Sequence, residues 1–188
     1  MGDPTYPSAA SRRLDRLEGG LCRMSLTRCY PASPVGVWAA LTDPELLVRW
    51  FLPITGDLRE GGRYELEGNA IGRILRCDRP RHLELTWEYA GFVSYVRLHL
   101  TPDGDATVLR LEHEPVPVEI VPNAGKVWGL GAVWELAMSA LNGFVTGTFS
   151  EGRAVDRIAA ASPRELKEFA RQSRRSGAAW AALVRSIS

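Results

Sequence analysis

The chain has 188 residues, 45% of them hydrophobic and 24% charged. That length fits about one domain, and the composition excludes a largely disordered chain, a collagen and a coiled coil. With 23 Lys plus Arg against 22 Asp plus Glu the net charge is +1, which gives no general pull toward nucleic acid or an anionic membrane.

The charge is unevenly placed: residues 162–188 carry +4 and the remainder −3. No stretch reaches the roughly 18 apolar residues of a membrane helix, and Met1 to Ser11 lacks a signal-peptide core. Cys22, Cys29 and Cys77 are odd in number and lack C-x-x-C spacing. They argue against structural zinc and a disulfide framework, and read as buried small hydrophobes of a cytoplasmic protein.

Residues 1–18 read as a polar lead-in with at most a helical turn over Arg12–Glu18, ended by Gly19-Gly20. In the strand that follows, Cys22, Met24 and Leu26 alternate with Arg23, Ser25 and Thr27, a period of two. Ser33-Pro34 and Asp43-Pro44 each place a capping side chain before a proline suited to a first helical position. They predict two short helices, with Trp38 and Leu41 on one and Leu46, Leu47, Trp50 and Phe51 on the other.

From Thr55 to Glu114 the pattern predicts about six consecutive antiparallel strands, split by turns at Gly61-Gly62, Gly68-Asn69 and Pro102-Asp103-Gly104-Asp105. Leu83, Leu85, Trp87 and Tyr89 share one face, as do Val96, Leu98 and Leu100, and then Leu109, Leu111 and His113. Pro115, Pro117 and Pro122 predict that Pro115–Asn123 is neither helix nor central strand. Beyond Gly125, apolar residues step by three and four through Trp134, Met138 and Leu141, which predicts the longest helix over Gly125–Phe149. Ser162-Pro163-Arg164-Glu165 is a capping box opening a C-terminal helix, which Gly177 is expected to break before Trp180, Leu183, Val184 and Ile187.

This order predicts an α+β helix-grip fold: a curved antiparallel sheet of six or seven strands around a long helix. Two short helices follow the first strand, and a further helix stands at the C-terminus. The domain spans 19–149, preceded by the lead-in 1–18. Residues 150–188 form an extension packed in cis or swapped into a homodimer. An apolar cavity between sheet and helix is the expected site.

The run Pro34-Val35-Gly36-Val37-Trp38-Ala39-Ala40-Leu41-Thr42-Asp43-Pro44-Glu45-Leu46-Leu47-Val48-Arg49-Trp50-Phe51 resembles the signature of the SRPBCC (START-like) superfamily. It is most similar to the branch named after activators of heat-shock protein 90 ATPase. Gly56-Asp57-Leu58-Arg59-Glu60-Gly61-Gly62, Leu85-Thr86-Trp87-Glu88, Leu109-Arg110-Leu111-Glu112-His113 and Trp134 fit in order. The resemblance covers about residues 20–149, and Ser176–Trp180 is similar to an extension of some bacterial members. It implies the helix-grip fold. Among functions it implies ligand carriage, aromatase/cyclase chemistry or a co-chaperone role.

Trp50, Tyr64, Leu85, Trp87, Val96, Leu98, Leu111, His113, Trp134 and Met138 are the candidate ligand-binding set. Aromatic rings and methionine suit a hydrophobic or planar ligand. His113 is the one candidate acid or base, with a backbone-bonded structural histidine as the alternative. His82 and His99 fall on outward parities, as do Glu88 and Glu112, read as solvated strand faces. No metal site, cofactor motif or complete catalytic set is visible. Arg164, Lys167, Arg171, Arg174 and Arg175 form a basic stripe without interleaved aromatics, a solvated helix face rather than a nucleic-acid surface. The expected partner is a hydrophobic small molecule. A chaperone is the weaker alternative, because one domain leaves no room for the extra domain of eukaryotic co-chaperones.

Overall fold

The computed structural model describes residues 10–122, 129–148 and 163–187, with side chains from residue 170 onward in the last segment. Eight strands form one antiparallel sheet: β1 (Ser11–Arg16), β2 (Leu21–Tyr30), β3 (Ile54–Gly56), β4 (Arg63–Leu66), β5 (Ile71–Asp78), β6 (His82–Tyr89), β7 (Phe92–Asp103) and β8 (Ala106–Pro117). Their order is β1-β2-β8-β7-β6-β5-β4-β3. The first and last strands in that order do not pair, so the sheet stays open. Register shifts at Cys22/Met24 and Ile74/Arg76 are the bulges that bend such a sheet.

Helices α1 (Pro34–Thr42) and α2 (Pro44–Trp50) carry the chain from β2 across to β3. Ser33 Oγ accepts from the Gly36 amide and Asp43 Oδ1 from the Glu45 amide, so both predicted caps are made. Helix α3 (Leu130–Val145) packs against β2 and both short helices, and α4 (Pro163–Ile187) packs on α3 and β1 of the same chain. The helix-grip arrangement of the sequence reading is therefore present, with one or two more strands than expected.

Several expectations change. The segment read as a polar lead-in with a helical turn contributes edge strand β1, paired from Ser11↔Thr27 to Arg16↔Cys22. It has one buried apolar residue within the strand, Leu14, so its alternation is invisible in the sequence. Strand β8 runs through Pro115 to Pro117. It can do so because only β2 pairs with it there, at Val116 and Pro117, whereas β7 pairing ends at Glu114. The prolines thus lie where one edge is locally open.

Helix α3 starts at Leu130 with Gly129 as its extended N-cap and ends at Val145, short of the predicted end; of the predicted helix, residues 125–128 and 149 lie outside the described residues. At 25 residues α4 exceeds the 16 of α3, so α3 is not the longest helix. Gly177 does not break α4. It lies buried within a face of small residues, Ser173, Ser176 and Gly177, that leads to Trp180. The proposed capping serine, Ser162, lies outside the described residues.

Trp180 is fully buried and its Nε1 donates to Glu135 Oε1 at 2.7 Å. Glu135 also accepts two bonds from Arg12 of β1, at 2.6 and 2.7 Å. One carboxylate on α3 therefore ties the N-terminal strand and the C-terminal helix together. Gly131 makes room for this: a Cβ there would lie 2.3 Å from Trp180 Nε1.

Candidate functional site

The concave face of the sheet and α3 enclose a cavity of about 120 Å³. Strands β6, β7 and β8 supply alternate residues to it, Leu83, Leu85 and Trp87, Val96 and Leu98, Leu109 and Leu111. That is the period of two made spatial. Helix α3 supplies Trp134, Ala137, Met138 and Leu141, at the spacing of one helical face. Trp50 and Phe51 close the α2 end. Phe51 stacks between Trp50 at 5.4 Å and Trp134 at 6.4 Å. Trp87 meets Trp134 edge-on at 5.2 Å.

Two polar tips of this aromatic wall are satisfied inside the protein. Trp50 Nε1 donates to Ala40 O at 2.8 Å and Tyr64 Oη to Thr86 O at 2.6 Å. Burial pushes the Tyr64 phenol upward, with the Glu88 charge adding to it, so Tyr64 remains a neutral donor. At Trp50 and Tyr64 the wall therefore presents ring faces rather than unpaired donors.

Nine of the ten residues singled out from the sequence line this cavity: Trp50, Tyr64, Leu85, Trp87, Val96, Leu98, Leu111, Trp134 and Met138. His113 faces inward, as its parity predicts, but it is not on the wall. It pairs with Met24 and Val96 across the sheet and lies beneath the Trp134 indole. Trp134 Nε1 donates to His113 Nδ1 at 3.0 Å, and His113 Nε2 lies 2.7 Å from Ser94 Oγ. An Nδ1 that accepts leaves the ring proton on Nε2, which then donates to Ser94. The Ser94 hydroxyl passes its own proton to Trp87 O at 3.2 Å. The chain of bonds is complete with a neutral imidazole, and burial lowers the His113 pKa to about 4. This histidine fixes two tryptophans of the cavity wall from behind.

The outward set behaves differently from its solvated reading. His82 and His99 oppose each other across β6 and β7, with Nδ1 atoms 3.1 Å apart. Glu112 is buried rather than solvated, between Arg110 and His99. Glu114 bridges Arg23 and Arg97. Ion pairs between long side chains on adjacent strands cover what parity alone leaves open. Tyr89, grouped with the inward residues, is 57% exposed, because the β6–β7 hairpin extends past α3.

Among the lining residues outside the candidate set are Phe51, Cys77 and Arg79. Phe51 adopts a non-helical conformation at the end of α2, so helical spacing does not fix its direction. Arg79 sits in the turn between β5 and β6, where no periodicity applies. Among the described residues, no group of three or more His, Cys, Asp and Glu is arranged to hold a metal ion, and Cys22, Cys29 and Cys77 are free thiols. No helix among the described residues is long and apolar enough to cross a membrane.

Known proteins with this architecture are consistent with it from end to end. CalU16 from Micromonospora echinospora, in its solution structure, is 38% identical with a TM-score of 0.80, covering 98% of this chain and all of its own. The CalU16 crystal structure matches at 37% identity and a TM-score of 0.72, covering 94% of this chain and 99% of that one. A conserved protein of unknown function from Enterococcus faecalis, EF2215, shares the fold at 18% identity and a TM-score of 0.65, covering 95% of this chain and 92% of that one. No curated protein matches the chain. Residues 31–145, from the end of β2 to the end of α3, match the family described as Activator of Hsp90 ATPase homolog 1-like protein. With more than half of its length matched and the sheet-and-helix grip in place, this chain belongs to that family.

Proposed function

We propose that the protein binds a small hydrophobic, ring-containing molecule in the cavity between the sheet and α3. The observation that carries this reading is a cavity of about 120 Å³ whose interior is aromatic and aliphatic. Natural cores leave few voids larger than a water molecule, and an apolar void of similar size, about 150 Å³, holds benzene. The site therefore suits one ring rather than a sterol-sized ligand. Burying one aromatic ring removes roughly 150–250 Å² from water. At about 25 cal/mol per Å² this gives about 4–6 kcal/mol, or millimolar to tens of micromolar affinity before ordering costs.

The aromatase/cyclase alternative depended on His113 as acid or base. Its two ring nitrogens are engaged by Trp134 and Ser94 behind the wall, which supports the binding reading. The family description names a chaperone ATPase activator; the cavity gives the small-molecule reading the stronger footing. Free thiols suit a reducing compartment, and we assign the protein to the cytoplasm.

Native mass spectrometry of freshly purified protein, set against the denatured mass, tests the reading. A non-covalent adduct of a small apolar compound, absent from an Ala137→Leu variant, is expected. An apo spectrum, joined to no uptake from a panel of one-ring hydrocarbons at millimolar concentration, overturns it.

A further inference from the structure

We propose that the ligand carries an anionic end, so that its ring occupies the cavity and its anion pairs with Arg79 at the mouth. This rests on the cavity reading above and names the ligand class, an aromatic acid with a short tether.

Arg79 is the one charged side chain on the cavity wall among the described residues. It is also exposed, so the cavity lining reaches the protein surface at this turn. Cys77, two residues before Arg79 on β5, is half-buried, whereas Tyr64, Leu66 and Leu111 of the same lining are buried.

The backbone at this point is held on both sides. Arg79 follows the last residue of β5, the Arg81 amide bonds to Asp78 O at 2.7 Å, and the Leu100 amide bonds to Arg81 O at 2.8 Å. Pro80 restricts the residue before it as well as itself. The base of the Arg79 side chain is therefore positioned, while its head has no carboxylate partner among the described residues. Two acids of the β3–β4 connection are used elsewhere: Asp57 is paired with Arg59, and Glu60 accepts from the Cys77 amide.

Of the other polar groups on the rim, the Thr42 hydroxyl donates to Trp38 O at 2.8 Å. It therefore has no proton left for a ligand. A guanidinium offers a planar pair of donors that matches a carboxylate. A ligand that fills the apolar interior and ends in a carboxylate satisfies both parts of the site at once. A hydrocarbon leaves Arg79 with water, and a zwitterion brings an ammonium to a guanidinium.

The test is calorimetric titration of the full chain with two matched probes, 3-phenylpropionate and 3-phenylpropanol. The propionate is expected to bind about fivefold more tightly at low salt, the scale of an exposed ion pair, with the difference shrinking as salt is added. In Arg79→Gln the two probes are expected to bind alike, with the alcohol's affinity as in the unsubstituted protein. Arg79→Lys keeps part of the preference. Equal binding of both probes by the unsubstituted protein, or a preference that survives in Arg79→Gln, overturns this proposal and leaves the cavity reading standing. Failure of both probes to bind overturns this proposal together with the cavity reading.

Discussion

Acidification reports directly on the bonds behind the cavity wall. In the fold His113 titrates at about 4, against an ordinary 6.5, because burial disfavours its charged form. Between those values the unfolded chain takes up a proton that the folded chain refuses, so stability falls as the pH drops from about 6.5 toward 4. At about 1.4 kcal/mol per pH unit the full difference is about 3 kcal/mol. About 2 kcal/mol of that is lost between pH 7 and pH 5. The assay is urea unfolding of the protein and of His113→Gln at a series of pH values. Glutamine can still accept from Trp134 and donate to Ser94, but it does not titrate. The variant is expected to start less stable and to lose about 2 kcal/mol less over that interval. A variant whose stability falls as steeply as that of the original protein would refute the buried, neutral assignment.

Other consequences concern packing and charge. Trp180→Ala removes a fully buried indole and is expected to cost about 3–5 kcal/mol, read as a lower thermal midpoint and early proteolysis within α4. Gly131→Ala should act in the same direction, since its Cβ would collide with that indole; an unchanged midpoint in both contradicts the α3–α4 contact. Ala137→Leu places added methyl groups in the void, so it is expected to hold or raise stability by up to about 1 kcal/mol and to abolish ligand uptake. Around Glu114, burial works against ionisation, but hydrogen bonds and charge from Arg23 and Arg97 outweigh it and hold the carboxyl below its ordinary range. Its contribution is present above the unfolded pKa near 4.5 and disappears as the pH falls through the folded value. Glu114→Gln should accordingly flatten the acid limb of the stability curve below that pH.

The strand parities carried most of the site. Leu85 and Trp87, Val96 and Leu98, and Leu111 point into one space because a two-residue period leaves no other choice once one face is covered. Trp134 and Met138 followed from helical spacing in the same way. His113 shows the limit of that reasoning. Parity turned it inward, but only the position of the Trp134 ring, on the helix that follows β8, puts it behind the wall. Leu14 stands nearly alone as an apolar residue in β1, so that strand is defined by pairing with β2 and by the Arg12–Glu135 bridge. Gly177 reads as a helix break because propensity was weighed without the surface it packs against. Arg79 belongs to a turn, and turns place side chains by backbone detail that composition does not encode.

The central claim is that a ring sits between the sheet and α3. Isotope-filtered nuclear Overhauser measurements with toluene as the probe test it most directly. The account predicts contacts from the toluene protons to the Met138 methyl, the Leu111 methyls and the Trp134 ring. Contacts confined to the exposed Tyr89, Phe92 and Val93 surface, with none to those three residues, would contradict it.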